Sequence, residues 1–172
     1  MFPIKGDFML RRTLTVALVA VITAALSAVA LASIAKNHSF TSTTRLAAIS
    51  TSKTFPAPGS TSLDASINDA HPGGRSAGIT KVTITGVSAG GLTSFKSTGT
   101  NYTAQGLQFL TTKGTATVHA DGSATLAGSG HYTGGTGLFK HLTGKLTFTG
   151  SQPSITGVTT LNITGNVALL RS

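Results

Sequence analysis

The chain contains no cysteine and no glutamate, and its carboxylate side chains are Asp7, Asp64, Asp69 and Asp121 alone. Without cysteine there is no disulfide, thiolate nucleophile, thiolate metal site or lipid-modified lipoprotein cysteine, so stability has to come from packing and backbone hydrogen bonds. General acid and base work, and the binding of hard cations, need carboxylates within hydrogen-bond reach of one another. Four aspartates spread over 172 residues scarcely supply such a pair, and the composition implies no cofactor. A formal charge of +9 would suit a polyanionic partner. Yet apart from Arg11 and Arg12 the basic residues fall singly, so nucleic acid is not an expected partner.

What is present begins with an uncharged run, TLTVALVAVITAALSAVALASIA over residues 13–35, directly after Arg11 and Arg12. A basic n-region, an apolar h-region and small residues at the end make a secretory signal. Ala30-Leu31-Ala32 supplies the cleavage motif, which places the cut between Ala32 and Ser33 and assigns 1–32 to the signal. Translation from Met9 gives a more conventional version of it. The alternative is a retained membrane anchor over 13–35, since about 20 apolar residues span a bilayer. Against it stand the alanine and threonine content of the run and the lone Lys36 behind it. Twin-arginine export would also use the paired arginines, but the surrounding residues match that signal poorly.

From residue 33 to 78 the composition turns to Ser, Thr, Pro, Ala and Gly, without lasting apolar alternation or helical periodicity. Such a segment does not bury enough to offset its ordering entropy and reads as a disordered linker, which makes Asp64, Asp69 and His71 weak site candidates.

Beyond Ile79 the pattern has period two, broken by Gly, Asn and Asp. ITKVTITGV, GLTSFKS, GLQFLTTK, GTATVHA, SATLAGSGHY, KLTFTG, VTTLNITG and NVALL read as strands, with no convincing helix among them. The expected fold is all-β, an antiparallel barrel of about eight strands over 79–172 behind a signal or anchor helix and a linker. In GTATVHADGSATLAG the residues Ala116, Val118, Ala124 and Leu126 share one parity. That spacing predicts an odd-numbered, three-residue turn of the bulge type, with Asp121 as turn former and Gly122 at positive φ. Gly134, Gly135 and Gly137 are expected to adopt backbone angles closed to other residues. Gly128, Gly130, Gly144 and Gly150 are expected where a curled sheet needs bends or close backbone approach.

Gly128-x-Gly130-x-Tyr132-x-Gly134-Gly135-Thr136-Gly137-x-Phe139, followed by Thr143-Gly144, resembles the glycine-rich signature of bacterial members of the allene oxide cyclase and dirigent barrel superfamily. The resemblance implies an eight-stranded antiparallel barrel, often with a hydrophobic cavity and typically oligomeric. Plant members cyclise an unsaturated fatty-acid epoxide or steer the coupling of phenoxy radicals, without a cofactor. The acidic residues expected in their cavities have no counterpart in 79–172, where Asp121 lies in a turn, so no catalytic residue is carried over.

Other motifs carry little. Gly86-Val87-Ser88-Ala89-Gly90 matches a nucleophile elbow formally, but a strand follows it where that motif needs a helix. Gly144-Lys145 lacks the flanking residues of a phosphate loop. His119, His131 and His141 would suit zinc or copper if strands gathered them, although His119 shares a polar face with Thr117 and Thr125. Asn37, Asn101 and Asn162 head glycosylation sequons. Tyr132 and Phe139 are the aromatics expected to pack the barrel wall or to meet a ligand.

The function expected on these grounds is non-catalytic: a secreted or cell-surface barrel that binds a small apolar ligand or an envelope partner, with homo-oligomers in view. Two alternatives stay open. One is a cofactor-free, cyclase-like or dirigent-like enzyme working by confinement, the other a structural or adhesive envelope protein.

Overall fold

The computed structural model describes residues 38–88, 90–154 and 157–169. The expected cleavage site at Ala32 and Ser33, the anchor over 13–35 and the sequon at Asn37 lie outside them. Eight strands, β1 (His38–Thr51), β2 (Thr61–His71), β3 (Gly74–Val87), β4 (Leu92–Thr103), β5 (Gly106–Val118), β6 (Ala124–Gly135), β7 (Leu142–Gln152) and β8 (Thr159–Leu169), follow one another in antiparallel hairpins. β8 then pairs with β1, and the sheet closes into a barrel. The register that starts at Asp64 passes Thr80, Gly99, Leu110, Tyr132, Gly144 and Val167. It returns to β1 at His38, three residues before Thr41, which pairs with His71 at the end of β2, so the stagger is about ten residues and goes with strands tilted steeply to the axis.

Two strands stand where a disordered linker is expected. Residues 38–51 and 61–71 are β1 and β2, and β3 starts at Gly74, so the barrel already includes these residues ahead of Ile79. The reason lies in what these strands turn inward. Ser42, Thr44, Ser62, Ser66 and Asn68 are buried, while Ile67 on the outer face is 47% exposed. The alternation of β2 is therefore inverted, with apolar Leu63, Ala65 and Ile67 turned away from the lumen, and β1 carries a register shift between Ala48 and Ser50. Residues 38–78 also supply no spacer between the barrel and residues 13–35.

From residue 79 onward six strands are found, not eight. β5 is one strand where GLQFLTTK and GTATVHA read as two, and β8 joins VTTLNITG to NVALL. Both false breaks fall at a glycine inside a strand. Gly114 faces the lumen beneath two rings, for a Cβ there would stand 2.9 Å from Phe95 Cζ and 3.0 Å from Phe148 Cζ. Gly165 does the same for Phe40, whose Cε1 would be 2.7 Å away. Inside a barrel the inward-pointing Cβ atoms crowd together, and glycine on one strand makes room for an aromatic ring on the next.

The β5–β6 hairpin follows its parity. Val118 pairs with Ala124 and Ala116 with Leu126. His119 N donates to Ser123 O at 2.8 Å around the three residues 120–122, with Gly122 at φ +81°. Asp121 accepts from the backbone N–H of Ser123 at 2.9 Å and from its hydroxyl at 2.6 Å, which holds its carboxyl below the ordinary carboxylate value. Gly134 and Gly137 have positive φ, at +118° and +58°. Gly135 does not share that reason: a Cβ there would run into the Leu107 carbonyl, so the constraint is close approach.

Candidate functional site: the barrel interior

Inward positions differ between the two sides of the barrel. On β1, β2 and β4 the buried residues are hydroxyls and an amide: Ser42, Thr44, Ser62, Ser66, Asn68, Thr93 and Ser97. On β6, β7 and the short 3-10 turn Gly137–Phe139 they are Ala124, Leu142, Leu146, Phe148 and Phe139. β3, between β2 and β4, buries Ile84, and Phe40 on β1 and Phe95 on β4 also turn inward, so the lumen is more polar on one side than on the other without being cleanly divided.

The polar wall is a connected network. Thr44 Oγ1 donates to Asn68 Oδ1 at 2.8 Å, and Asn68 Nδ2 donates to Ser76 Oγ at 3.3 Å and to Asn101 Oδ1 at 3.1 Å. Asn101 Nδ2 reaches Gln108 Oε1 at 3.4 Å, so side chains of β1 to β5 are joined in one chain. Gly78 gives this chain its space, since a Cβ there would stand 2.5 Å from Ser66 Oγ and 2.7 Å from Asn101 Oδ1. Ser97 and Thr112 share a further bond of 2.6 Å. Buried polar groups of this kind are normally satisfied, yet Ser42 Oγ and Ser60 Oγ have no partner among the described residues.

Two ionisable side chains face inward along the strands. Asp64 on β2 accepts a hydrogen bond from Ser62 Oγ, and desolvation raises its pKa above the ordinary carboxylate value despite that bond. Tyr132 on β6 meets Phe40 edge-on at 6.1 Å between ring centroids, and burial pushes its phenol up to about 12. Its hydroxyl has no hydrogen-bond partner among the described residues. Asp64 therefore overturns the expectation that the barrel domain lacks an inward acid. The sequence reading missed it through the misplaced domain start; the even spacing of Ser62, Asp64, Ser66 and Asn68 is the signal that could have found it.

The interior is unevenly sealed: Leu142, Leu146, Ile84 and Phe148 are 3–5% exposed, while other inward residues are more accessible. No large side chain among the described residues is fully buried. Inward Val82, Leu110, Leu126, Leu161 and Val167 all keep partial access. A close-packed core seals such residues. An eight-stranded barrel is just wide enough either to be filled by its own side chains or to hold one small ligand.

The remaining sequence candidates fall elsewhere. Phe139 is buried in the turn after β6, beside Gly135. Ser88 lies in the β3–β4 turn, with its hydroxyl 3.3 Å from Leu92 O, between two strands. His119 and His131 point outward to Thr125 and Thr111, at 3.2 Å each, and no metal-ligating group of three is found among the described residues. Asp69 and His71 border a shallow outer groove of about 400 Å³ with Thr41, Thr43, Asn162 and Thr164, where Asp69 meets Arg75 at 3.8 Å. Among the described residues no helix is long and apolar enough to cross a membrane. Comparison with protein-family models, curated proteins and solved structures found no match.

Proposed function

We propose that the protein binds one small amphipathic molecule inside the barrel, and does so outside the cytoplasm. The observation that carries this reading is a lumen lined by apolar side chains of β6 and β7 and by hydroxyls and amides of β1, β2 and β4, with several inward residues part-accessible. Ligand sites are mostly apolar with a few placed polar groups, and this interior has both parts. It refines the expected apolar ligand to one with a hydrogen-bonding end. Asp64 favours a neutral head such as an alcohol or phenol over a carboxylate, because a second anion beside it would be repelled. Secretion rests on the leader, and a mature chain starting at Ser33 is its test.

Calorimetric titration with 4-hexylphenol, hexylbenzene and 4-hexylbenzoate tests the binding. Saturable binding at one molecule per chain is expected for the phenol, weaker for the other two, and abolished by Leu110→Trp, which fills the lumen. Binding that survives Leu110→Trp unchanged would remove the interior as the site.

The second reading is a cofactor-free enzyme of the cyclase or dirigent kind. Asp64 supports it, since a desolvated carboxyl in a lumen could move a proton on a confined substrate. Turnover lost in Asp64→Asn with ligand affinity retained would favour it over simple binding.

A further inference from the structure

We propose that the outer wall of β3, β4 and β5 binds a linear acidic glycan, its sugar rings on Tyr102 and Phe109 and its acid groups on Lys96 and Lys113. This surface is separate from the lumen and does not rest on the proposed ligand there.

Basic residues that fall singly in the chain are gathered by the register. Lys96 on β4 is the direct partner of Lys113 on β5, and Lys81 on β3 stands opposite Thr98 in the next row. All three lysines are exposed. Like charges directly opposite across an antiparallel pair destabilise the sheet, so this arrangement works against folding. No carboxylate among the described residues relieves it: Asp64 faces the lumen, Asp69 lies against Arg75, and Asp121 is in the β5–β6 turn. An anionic partner would offset the repulsion.

Aromatic side chains continue the same wall. Tyr102 pairs with Leu107, and Phe109, two residues on, pairs with Thr100, so both rings lie on the outer face in adjacent rows. Tyr102 is 49% exposed, and Phe109 beside it is half-buried. Four residues of extended strand separate Phe109 from Lys113, about 13 Å, within the reach of a short oligosaccharide.

Between rings and lysines stand Thr98 and Thr100, hydroxyls suited to sugar hydroxyls, and Thr111, whose hydroxyl meets His131. The side-chain amides that could read base edges here, Asn101 and Gln108, are turned inward to the network, which leaves this wall without amide base readout. Single strands would stack on the same rings, and oligo-dT in the test separates them from a glycan.

The test is binding of the barrel protein to polygalacturonate and to dextran sulfate, with neutral dextran, oligo-dT and phosphatidylglycerol vesicles alongside, each over a range of salt. Binding to either acidic glycan but not to dextran is expected, and the pair distinguishes carboxylate from sulfate. Lys96→Gln with Lys113→Gln should lower the salt slope by about 2, one per lysine. Tyr102→Ala with Phe109→Ala should weaken binding about fivefold or more at an unchanged slope. The lysine variant should melt no lower than the parent, so lost binding is not lost folding. Lys53→Gln with Lys140→Gln, off this wall, should leave affinity within about twofold. Equal losses from those control substitutions, tighter binding to oligo-dT or vesicles, or no glycan binding at physiological salt would each overturn the proposal.

Discussion

Phe148 on β7 occupies the space that a side chain at Gly128 on β6 would need; a Cβ at 128 would run into the ring Cζ and the Lys113 carbonyl. The neighbouring Gly114 opens the other flank of the same ring. One aromatic side chain thus sets glycine at two positions on two strands, and the apolar wall depends on the fit.

Gly128→Ala is accordingly expected to destabilise by about 3 kcal/mol, the upper part of the usual range for overpacking. Gly99→Ala, whose Cβ would meet Leu110 Cδ2 at 3.3 Å and Thr80 Oγ1 at 3.1 Å, both movable, should cost under about 1 kcal/mol. Urea denaturation of the two variants measures the difference, and similar midpoints would remove close approach as the reason for Gly128.

Gly122→Ala tests backbone conformation without contact. No atom lies within 4 Å of a Cβ built there, and φ is +81°. The expected loss is about 1 kcal/mol from the left-handed backbone alone. Gly122→Asn, better tolerated in that region, should recover part of it.

Asn68→Ala removes the hub of the polar wall. Thr44, Ser76 and Asn101 each lose a partner. A loss of about 2–3 kcal/mol is expected, since buried polar groups left unpaired carry most of the penalty. Water entering the lumen would lessen it, so a loss under about 1 kcal/mol would indicate a wet interior.

Asp64 makes stability depend on pH in a defined direction. Its pKa is raised above 3.8 by desolvation, so the folded state holds the proton more tightly than the unfolded chain. The penalty is absent well below 3.8 and grows as pH rises through the raised folded value. Asp64→Asn should therefore gain stability over the parent across that window and plateau above it. Asp121, lowered from 3.8 by Ser123, acts below that value and with the opposite sign: its contribution is lost as pH falls through its folded pKa. Thermal midpoints from pH 3 to 8 check both; a gain for Asp64→Asn that is independent of pH would contradict the assignment.

Where the lumen is apolar, the sequence was readable. Leu142, Leu146 and Phe148 alternate with Thr143, Lys145 and Thr147, and the like parities of Val118 and Ala124 lead directly to the three-residue turn. Where it is polar, the same rule failed, because Ser62, Asp64, Ser66 and Asn68 alternate with Leu63, Ala65 and Ile67 in the reverse sense. Hydrophobic periodicity reports burial, and β1 and β2 bury hydroxyls, with Thr44 bonded across to Asn68 and Ser62 to Asp64 on its own strand. Gly114 and Gly165 misled for a related reason: their meaning lies in Phe148 and Phe40, on other strands. The lysine pair was invisible for want of register, since seventeen positions separate Lys96 from Lys113.

The central claim is a barrel whose interior, more polar on one side than on the other, holds one amphiphile. Nuclear Overhauser contacts from bound 4-hexylphenol test it most directly. The account predicts contacts from the alkyl chain to Leu146 and Ile163 methyls, and from the phenol end to the side-chain amides of Asn68 and Asn101. Contacts confined to outer-wall residues such as Ile67 and Ile79, or a saturated sample with none to the interior, would contradict it.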